Sequence, residues 1–571
     1  MGATSTAPAP RPQAAGGTIP LSGDHGRHYR GLELLQHLWR FLAPQRKVQI
    51  ILLGVLMLGG SLLEMVSLGA VLPFVGALMN PETMLQQVKF ARIAALLGIN
   101  SAQELILPMT TAFIGIVILT GFSRLTLLWG TQRMSYVVGA DISTEVYRRT
   151  LYQPYCIHAS RNSSQLISSI TKKVSHAMHV FQALLTAITS LATSIGITAA
   201  LLFIDPLMAS TAAAVFATSY LAVAKFTRRR LLRNGKHIKE SAALLVKSLQ
   251  EGLGGIRDVL LDGTQEVHSA AYRKVDRPLR RAIASNHFVA ASPRVVMEAL
   301  SIASVAGLAF FLSQREGGIG NALPVLGVLA LGAQRLLPAF QHVYAGYANF
   351  VGHQTSIAEI VNLLEQPLPN HAFEPPPPPL QFEREVLLKN ISFRYPGTEA
   401  LVLQELNLVL KKGSRIGFVG KTGGGKSTTL DLLMGLLEPT SGEILVDGKA
   451  VTGTHRRAWQ RALAHVPQSI FLADSTMAEN IAFGVPPNKI DLERVKQAAR
   501  VARIADYIES QPKGYNSTVG ERGVRLSGGQ RQRIGIARAL YKQASVLIFD
   551  EATSALDNTT ERELIDAIES L

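Results

Sequence analysis

The chain has 571 residues, too many for one compact core, so two or more domains are expected. Hydrophobic residues make up 47% against 17% charged, and the mean hydropathy is +0.20, a balance that points to a membrane protein. The net charge of +16 leaves nucleic acid or an anionic membrane surface open as partners, and the single cysteine, Cys156, excludes an intramolecular disulfide and makes a cysteine metal site unexpected.

Residues 1–30, rich in Ala, Pro, Gly, Thr and Ser, read as a disordered tail without the apolar segment of a secretory signal. Met1-Gly2 followed by Thr6 fits a myristoylation pattern only formally. Six apolar stretches follow, at 48–79, 105–130, 183–204, 207–224, 295–312 and 323–340. Each approaches the ~20 residues that a membrane-crossing helix needs. The third and fourth meet at Asp205-Pro206, a tight turn between spans.

The loops give the orientation. Residues 141–173 carry Arg148, Arg149, Arg161, Lys172 and Lys173, and residues 225–281 carry fourteen Lys or Arg against six Asp or Glu. The opposite loops hold little positive charge: Lys89 and Arg92 in the first, none at Asp205 in the second, and Arg315 in the third. Positive loops stay cytoplasmic, so both long loops and both termini are expected there. The charge is then mainly topological, and a nucleic-acid partner is not expected. The long loops read as helical continuations of the spans, each pair ending in a short transverse segment, with 153–161 and 256–265 as candidates. Residues 81–98 have helical apolar spacing with Gln86, Gln87, Lys89 and Arg92 between. They read either as an amphipathic helix on the outer membrane face or as a loop helix packed on the spans.

Charges within spans are costly and raise a functional question. Here they are Glu64, Arg124, Glu298 and Arg335, with Arg294 at the start of the fifth span. Arg294 and Glu298 have the spacing of a pair along one helix face. Arg124 is near enough to a span end to reach the interface. Arginines such as Arg294 and Arg335 suit an anionic substrate, for example a pyrophosphate-linked lipid, or else salt bridges between helices.

The unbroken prolines 375–379, after Gln366-Pro367-Leu368-Pro369, read as an extended spacer, and a soluble α/β composition begins near Gln381. Tyr395 is either an adenine-stacking aromatic or an ordinary strand residue. The apolar run Ile416-Gly417-Phe418-Val419 leads into Gly420-Lys421-Thr422-Gly423-Gly424-Gly425-Lys426-Ser427-Thr428, of the form G-x-x-x-x-G-K-[ST]. Strand, glycine loop and helix are what a nucleotide phosphate needs: inward-turned backbone N–H groups and a positive helix end. Lys426 would reach the β- and γ-phosphates and Ser427 would hold Mg²⁺. Gln468, in a loop after Val466-Pro467, suits contact with Mg²⁺ and the attacking water. Leu526-Ser527-Gly528-Gly529-Gln530 opens a helical run and forms a second anion-binding helix start. Val546-Leu547-Ile548-Phe549 reads as a buried strand ending in Asp550, for Mg²⁺, and Glu551, as general base toward water.

These segments, with Ser554-Ala555-Leu556-Asp557, resemble the Walker A, Q-loop, signature, Walker B and D-loop of ATP-binding-cassette (ABC) ATPases. Thr518-Val519-Gly520-Glu521-Arg522-Gly523 resembles the segment before the signature in exporters. Six spans ahead of the cassette resemble a half-size ABC exporter, and the resemblance covers nearly all of the chain after residue 31. It implies an all-α polytopic membrane domain of six transmembrane helices, type IV exporter-like, followed by an α/β P-loop ATPase domain. The expected division is a tail at 1–30, a membrane domain at 31–365, a linker at 366–380 and a cassette at 381–571.

The resemblance further implies ATP and Mg²⁺ as cofactors and a second copy of the chain as partner. Each ATP would lie between residues 420–428 of one copy and 527–530 of the other, and closure would move the transverse segments. Residues 81–98, Ser292-Pro293-Arg294-Val295-Val296-Met297-Glu298 and Arg335-Leu336-Leu337-Pro338 look closest to lipid-linked oligosaccharide flippases of the protein-glycosylation type, which implies a place in the inner membrane. A generic drug, peptide or lipid exporter is the alternative. A DNA-associated ATPase, or a non-hydrolysing membrane sensor, shares parts of the pattern. The six spans oppose the first and intact Lys426 and Glu551 the second. The family also has a switch histidine beyond the D-loop. The sequence ends at Leu571, fourteen residues past Asp557, with no histidine after His465. A C-terminally incomplete cassette with poor ATP turnover is therefore expected.

Overall fold

A computed structural model describes residues 31–79, 81–82, 103–160, 163–204, 206–313, 318–551 and 561–562. The tail 1–30, most of the segment 81–98, Asp205 and the D-loop residues 554–557 lie outside the described residues. The chain divides into a membrane unit, Asp24–Gln153 with Arg161–Leu368, and a cassette unit, Pro154–Ser160 with Pro369–Leu571.

In the membrane unit each apolar stretch falls in a long helix: α1 Pro44–Gly69, α2 Ile106–Leu151, α3 Val174–Ile204, α4 Pro206–Gly254, α5 Gln265–Ser313 and α6 Gly318–Leu364. Most run well past a span's length, as the helical pattern of the loops requires. Pro44 lies in the first turn of α1, where its missing N–H is harmless. The first span breaks after Gly69 and continues as Val71–Met79. Pro73 has no N–H for the carbonyl of Gly69 and its ring crowds that carbonyl, which places the break there. Among the described residues three helices are long and apolar enough to cross a membrane, Pro44–Leu78, Gln103–Leu151 and Leu166–Phe203. The other three expected spans run over residues near 205–212 and 304–333, many of whose side chains lie outside the described set.

Pro293 lies inside α5, which continues through it. It cannot bond to the carbonyl of Val289, and the Tyr344 hydroxyl of α6 donates to that carbonyl instead, at 3.1 Å. Gln341 Nε2 donates to the neighbouring Ala290 carbonyl at 2.7 Å, and Tyr220 of α4 donates to Gln341 Oε1 at 3.2 Å. Buried polar groups on three helices are thus satisfied around one proline. Arg294 and Glu298, expected to pair, are both exposed, and no ion pair joins them among the described residues.

Toward the loop ends of the helices, a π-helical turn Ser169–Lys173 precedes α3. Lys173, 2% exposed, pairs with Glu359 of α6. Glu359 also pairs with Lys239 of α4 at 3.2 Å and accepts from Ser169 Oγ at 2.8 Å. Burial pushes the Glu359 carboxyl up, but the two lysines and the serine outweigh it and hold it below its ordinary value. Nearby, Leu34 of the short helix Gly31–Phe41 is fully buried in a cluster with Val146, Val174, Ile357 and Ile360.

The cassette unit begins its sheet at β1 Glu385–Phe393, which pairs antiparallel with β2 Leu403–Lys411 and β3 Ser441–Val446. A short β4, Lys449–Ala450, completes the order β2-β1-β3-β4. Separately, β5 Leu463–Val466 and β6 Val546–Phe549 pair in parallel. This pair partitions two cores. Leu463 and Ile548 face a cluster with Leu430, Leu432 and Trp459, whereas Ala464 and Val466 face one with Leu526, Ile534 and Ile536. The period-2 alternation of strand side chains produces this division.

Two expectations change. Ile416-Gly417-Phe418-Val419 joins neither sheet, and Val419 is 98% exposed. An apolar run becomes a strand where a neighbour takes its backbone hydrogen bonds, and no described strand does so. The proline run is not a free spacer. Arg461 of α8 Gly453–Ala462 donates to the carbonyls of Pro376 and Pro377 at 3.2 and 2.9 Å. Carbonyls of a proline run lack intrachain partners, so guanidinium groups bind them readily. Both expected transverse segments are short helices, Tyr155–Ser160 and Ile256–Leu261. The first belongs to the cassette unit, where Cys156 packs against the Leu430 core.

Candidate functional sites

The phosphate loop is shaped by glycines in a backbone conformation that other residues rarely adopt. Gly423 and Gly425 have φ of +82° and +80°, in the left-handed region. A Cβ on Gly425 would lie 2.8 Å from Leu403 Cδ2 and 3.3 Å from the Val402 carbonyl. Gly425 caps helix α7, Lys426–Leu433, so the loop delivers the chain straight to a helix start. Lys426 Nζ donates to the carbonyls of Gly420 at 2.8 Å and Lys421 at 3.2 Å. It is held over the loop by oxygens that a phosphate would replace. Thr429 Oγ1 donates back to Gly425 O at 2.9 Å and fixes the first turn.

The parallel register of β5 and β6 assembles the second part. His465 lies opposite Ile548 and Val466 opposite Phe549, and Asp550 N donates to Val466 O at 3.0 Å. The residues that leave the two strands therefore emerge side by side. Gln468 Nε2 donates to Glu551 Oε2 at 2.6 Å. Glu551 has φ +50°, a conformation that costs a glutamate about 1 kcal/mol or more and re-aims its side chain off the strand line. Burial and the neighbouring Asp550 push Asp431 of α7 above its ordinary value. Burial lowers His465 against the opposing pull of Asp550, so the imidazole is neutral at physiological pH. Ser427, Asp550 and the Gln468 amide carry oxygen donors of the kind that Mg²⁺ takes, and the acid pair Asp431 and Asp550 favours a cation nearby.

Ser527 caps helix α9, Gly528–Tyr541, in a capping box. Its Oγ accepts from Gln530 N at 3.2 Å and its N donates to Gln530 Oε1 at 2.9 Å. The helix start is thus fixed, with the backbone of Gly528 and Gly529 beside it. It rises from the Leu526 core and the phosphate loop's helix from the Leu430 core. Tyr395 packs edge-on to Phe393 at 5.0 Å, and its hydroxyl lies 3.2 Å from Thr428 Oγ1. An aromatic face thus stands beside the loop.

The membrane unit holds a cavity of about 620 Å³. Arg335 lines it, together with Glu64, Arg124, Gln334 and His342; Arg294 does not. Glu64, 4% exposed, receives both Nε and Nη2 of Arg124, the latter at 2.7 Å, and Nη1 of Arg335 at 3.1 Å. Arg124 is therefore a partner of Glu64 rather than a group reaching for the interface. A low-dielectric setting makes a shared carboxylate the natural counter-charge. The lining also includes Thr186, Thr189, Ser190 and Thr193 of α3. Sequence reading had not singled these out, although i, i+3, i+4, i+7 spacing in an apolar helix marks one polar stripe.

The chain matches the ABC transporter family over residues 403–554 and the ABC transporter transmembrane region over residues 48–322. It is 31% identical over 454 residues to an ATP-dependent lipid A-core flippase of Chromohalobacter salexigens, covering 77% of this chain and 76% of that protein. The flippase of the same description from Cupriavidus metallidurans is 28% identical over 476 residues, covering 80% and 77%. A bacterial Atm1-family ABC exporter structure with ATP bound superposes with a TM-score of 0.72 at 23% identity, covering 92% of this chain and 89% of that one. The fold is that of such exporters, with a helical membrane domain ahead of a cassette that hydrolyses ATP to drive transport. The chain belongs to the ABC transporter family, as a half-exporter in which the transmembrane region and the ATPase are one polypeptide.

Proposed function

We propose that this exporter flips an amphipathic, anionic lipid-linked saccharide across the inner membrane. The observation that supports this reading is Arg335, a guanidinium lining a cavity that is also lined by a stripe of hydroxyls. Guanidinium groups hold phosphate oxygens bidentately, and hydroxyls suit a saccharide. The names of the relatives, flippases of a lipid, agree with a lipid substrate and equally support a broader lipid exporter. In that second reading Arg335 is only structural.

For the ATPase we assign roles as follows. Gly420, Thr422, Gly423, Gly424, Gly425 and Thr428 line the phosphates. Lys426 exchanges its carbonyl partners for the β- and γ-phosphate oxygens. Ser427, Gln468 and Asp550 hold Mg²⁺, which when bound neutralises phosphate charge. Glu551, aimed by Gln468, takes the proton of the attacking water. Tyr395 supports the adenine. Ser527, Gly528, Gly529 and Gln530 close over the nucleotide of a second copy, so that the working form is a homodimer. Two helix starts on two separate cores support this division.

The test is Arg335→Ala in reconstituted liposomes. ATP-dependent flipping of a polyprenyl-pyrophosphate saccharide should fall at least tenfold, the loss expected from one charge-assisted contact. Unchanged flipping would remove the anionic-cavity reading and favour the broader exporter.

A further inference from the structure

Three spans meet at one carboxylate. Glu64 on α1 is buried, and its two oxygens are shared by Arg124 of α2 and Arg335 of α6. Arg335 Nη2 also donates to Ser67 Oγ at 3.3 Å. All three charged residues line the cavity. Two guanidiniums and one carboxylate leave a net charge of +1, so the cluster lacks one negative charge. A guanidinium carries five N–H donors, and Arg335 has some left after Glu64 and Ser67.

We propose that Glu64 is an internal counter-anion that competes with the substrate's head group and thereby sets which head groups the cavity accepts. This rests on the anionic-lipid reading above. A neutral or zwitterionic head group has too little charge to take either arginine from Glu64. A monophosphate adds to Arg335 but leaves Arg124 on Glu64. A diphosphate has charge and oxygens enough for both guanidiniums, and it releases Glu64. Release also unties α1 from α2 and α6, so the ligand that fits best is the one that loosens the three spans. Glu64 is in this sense a positioning and selecting residue.

The experiment uses the full chain in nanodiscs and measures binding of three probes: a polyprenyl diphosphate, a polyprenyl monophosphate and phosphatidylcholine. Wild type should favour the diphosphate over the monophosphate by about tenfold, the worth of one charge-assisted hydrogen-bond pair. Glu64→Gln should tighten monophosphate binding by about tenfold and so erase the preference. Because Glu64→Gln leaves two arginines facing each other, the double variant Glu64→Gln/Arg124→Gln is measured beside it. It keeps the cluster at +1 and should also bind the monophosphate more tightly than wild type. If both phosphate lipids bind wild type in an Arg335-dependent way but neither variant changes the preference, the role of Glu64 is overturned and the anionic reading stands. If wild type binds neither phosphate lipid better than phosphatidylcholine, the anionic reading falls with it.

Discussion

The two halves of this protein meet negative charge by opposite means. In the cassette, backbone does the holding: positive-φ glycines, the N-terminus of α7 and the capping box of α9 present N–H groups whose positions are set by local geometry. In the membrane unit, side chains do it: two guanidiniums reach one buried carboxylate from three helices. A backbone cradle is rigid and accepts one shape, which suits a nucleotide that is always the same. A side-chain cluster with its own counter-ion can rearrange, which suits a site that must both take a ligand and release it. The difference also predicts how each half fails.

Glu551→Gln should give the largest effect. Removing the base is expected to slow ATP hydrolysis by about 10³-fold while nucleotide stays bound, because general-base catalysis is typically worth that much. Phosphate release and retention of labelled ATP would measure it, and hydrolysis within a factor of a few of wild type would take Glu551 out of the role. Next comes Glu359→Gln, which leaves buried Lys173 without its partner. The loss of stability should be roughly 3 kcal/mol, read from thermal unfolding in detergent. The same carboxyl predicts an acid limit. Its folded value is depressed, so its stabilisation is complete above the unfolded carboxylate range and is lost as the pH falls through the folded value. Glu359→Gln should flatten that acid limb, and an unchanged limb would assign it to other groups.

Gly425→Ala tests the rigid cradle. The positive φ and the contact with Leu403 should cost about 1–3 kcal/mol and remove nucleotide binding with it. Nucleotide titration of the variant would show whether the loop tolerates the change, and near-normal binding would contradict the rigidity argued for this half. The smallest effect belongs to Tyr344→Phe, which strips the donor from the Val289 carbonyl freed by Pro293. About 1 kcal/mol of stability should go, without loss of ATPase activity.

These contrasts explain what the sequence made legible. The glycine loop and the signature are contiguous, because a backbone cradle is made by neighbours in the chain. Asp550 and Glu551 could be recognised as a strand end, but their meeting with Gln468 depends on the register of β5 with β6. The arginines of the membrane unit were visible as misplaced charges. So was Glu64, but which of them it joins was not, because it lies 60 residues from Arg124 and 271 from Arg335. Arg294, equally conspicuous in sequence, lies outside the cavity lining, since helix phase and not position in the span decides which side a residue faces. The proline run read as a spacer because its partner on α8, Arg461, follows Pro377 by 84 residues.

The central claim is that ATP drives an acidic lipid-linked saccharide through the Arg335 cavity, and flipping in proteoliposomes tests it most directly. With the full chain reconstituted, a fluorescent polyprenyl-pyrophosphate saccharide should change leaflet only when ATP and Mg²⁺ are supplied. The same rate should collapse in Arg335→Ala and in Glu551→Gln. Flipping that continues without ATP, or that ignores both substitutions, would contradict the account.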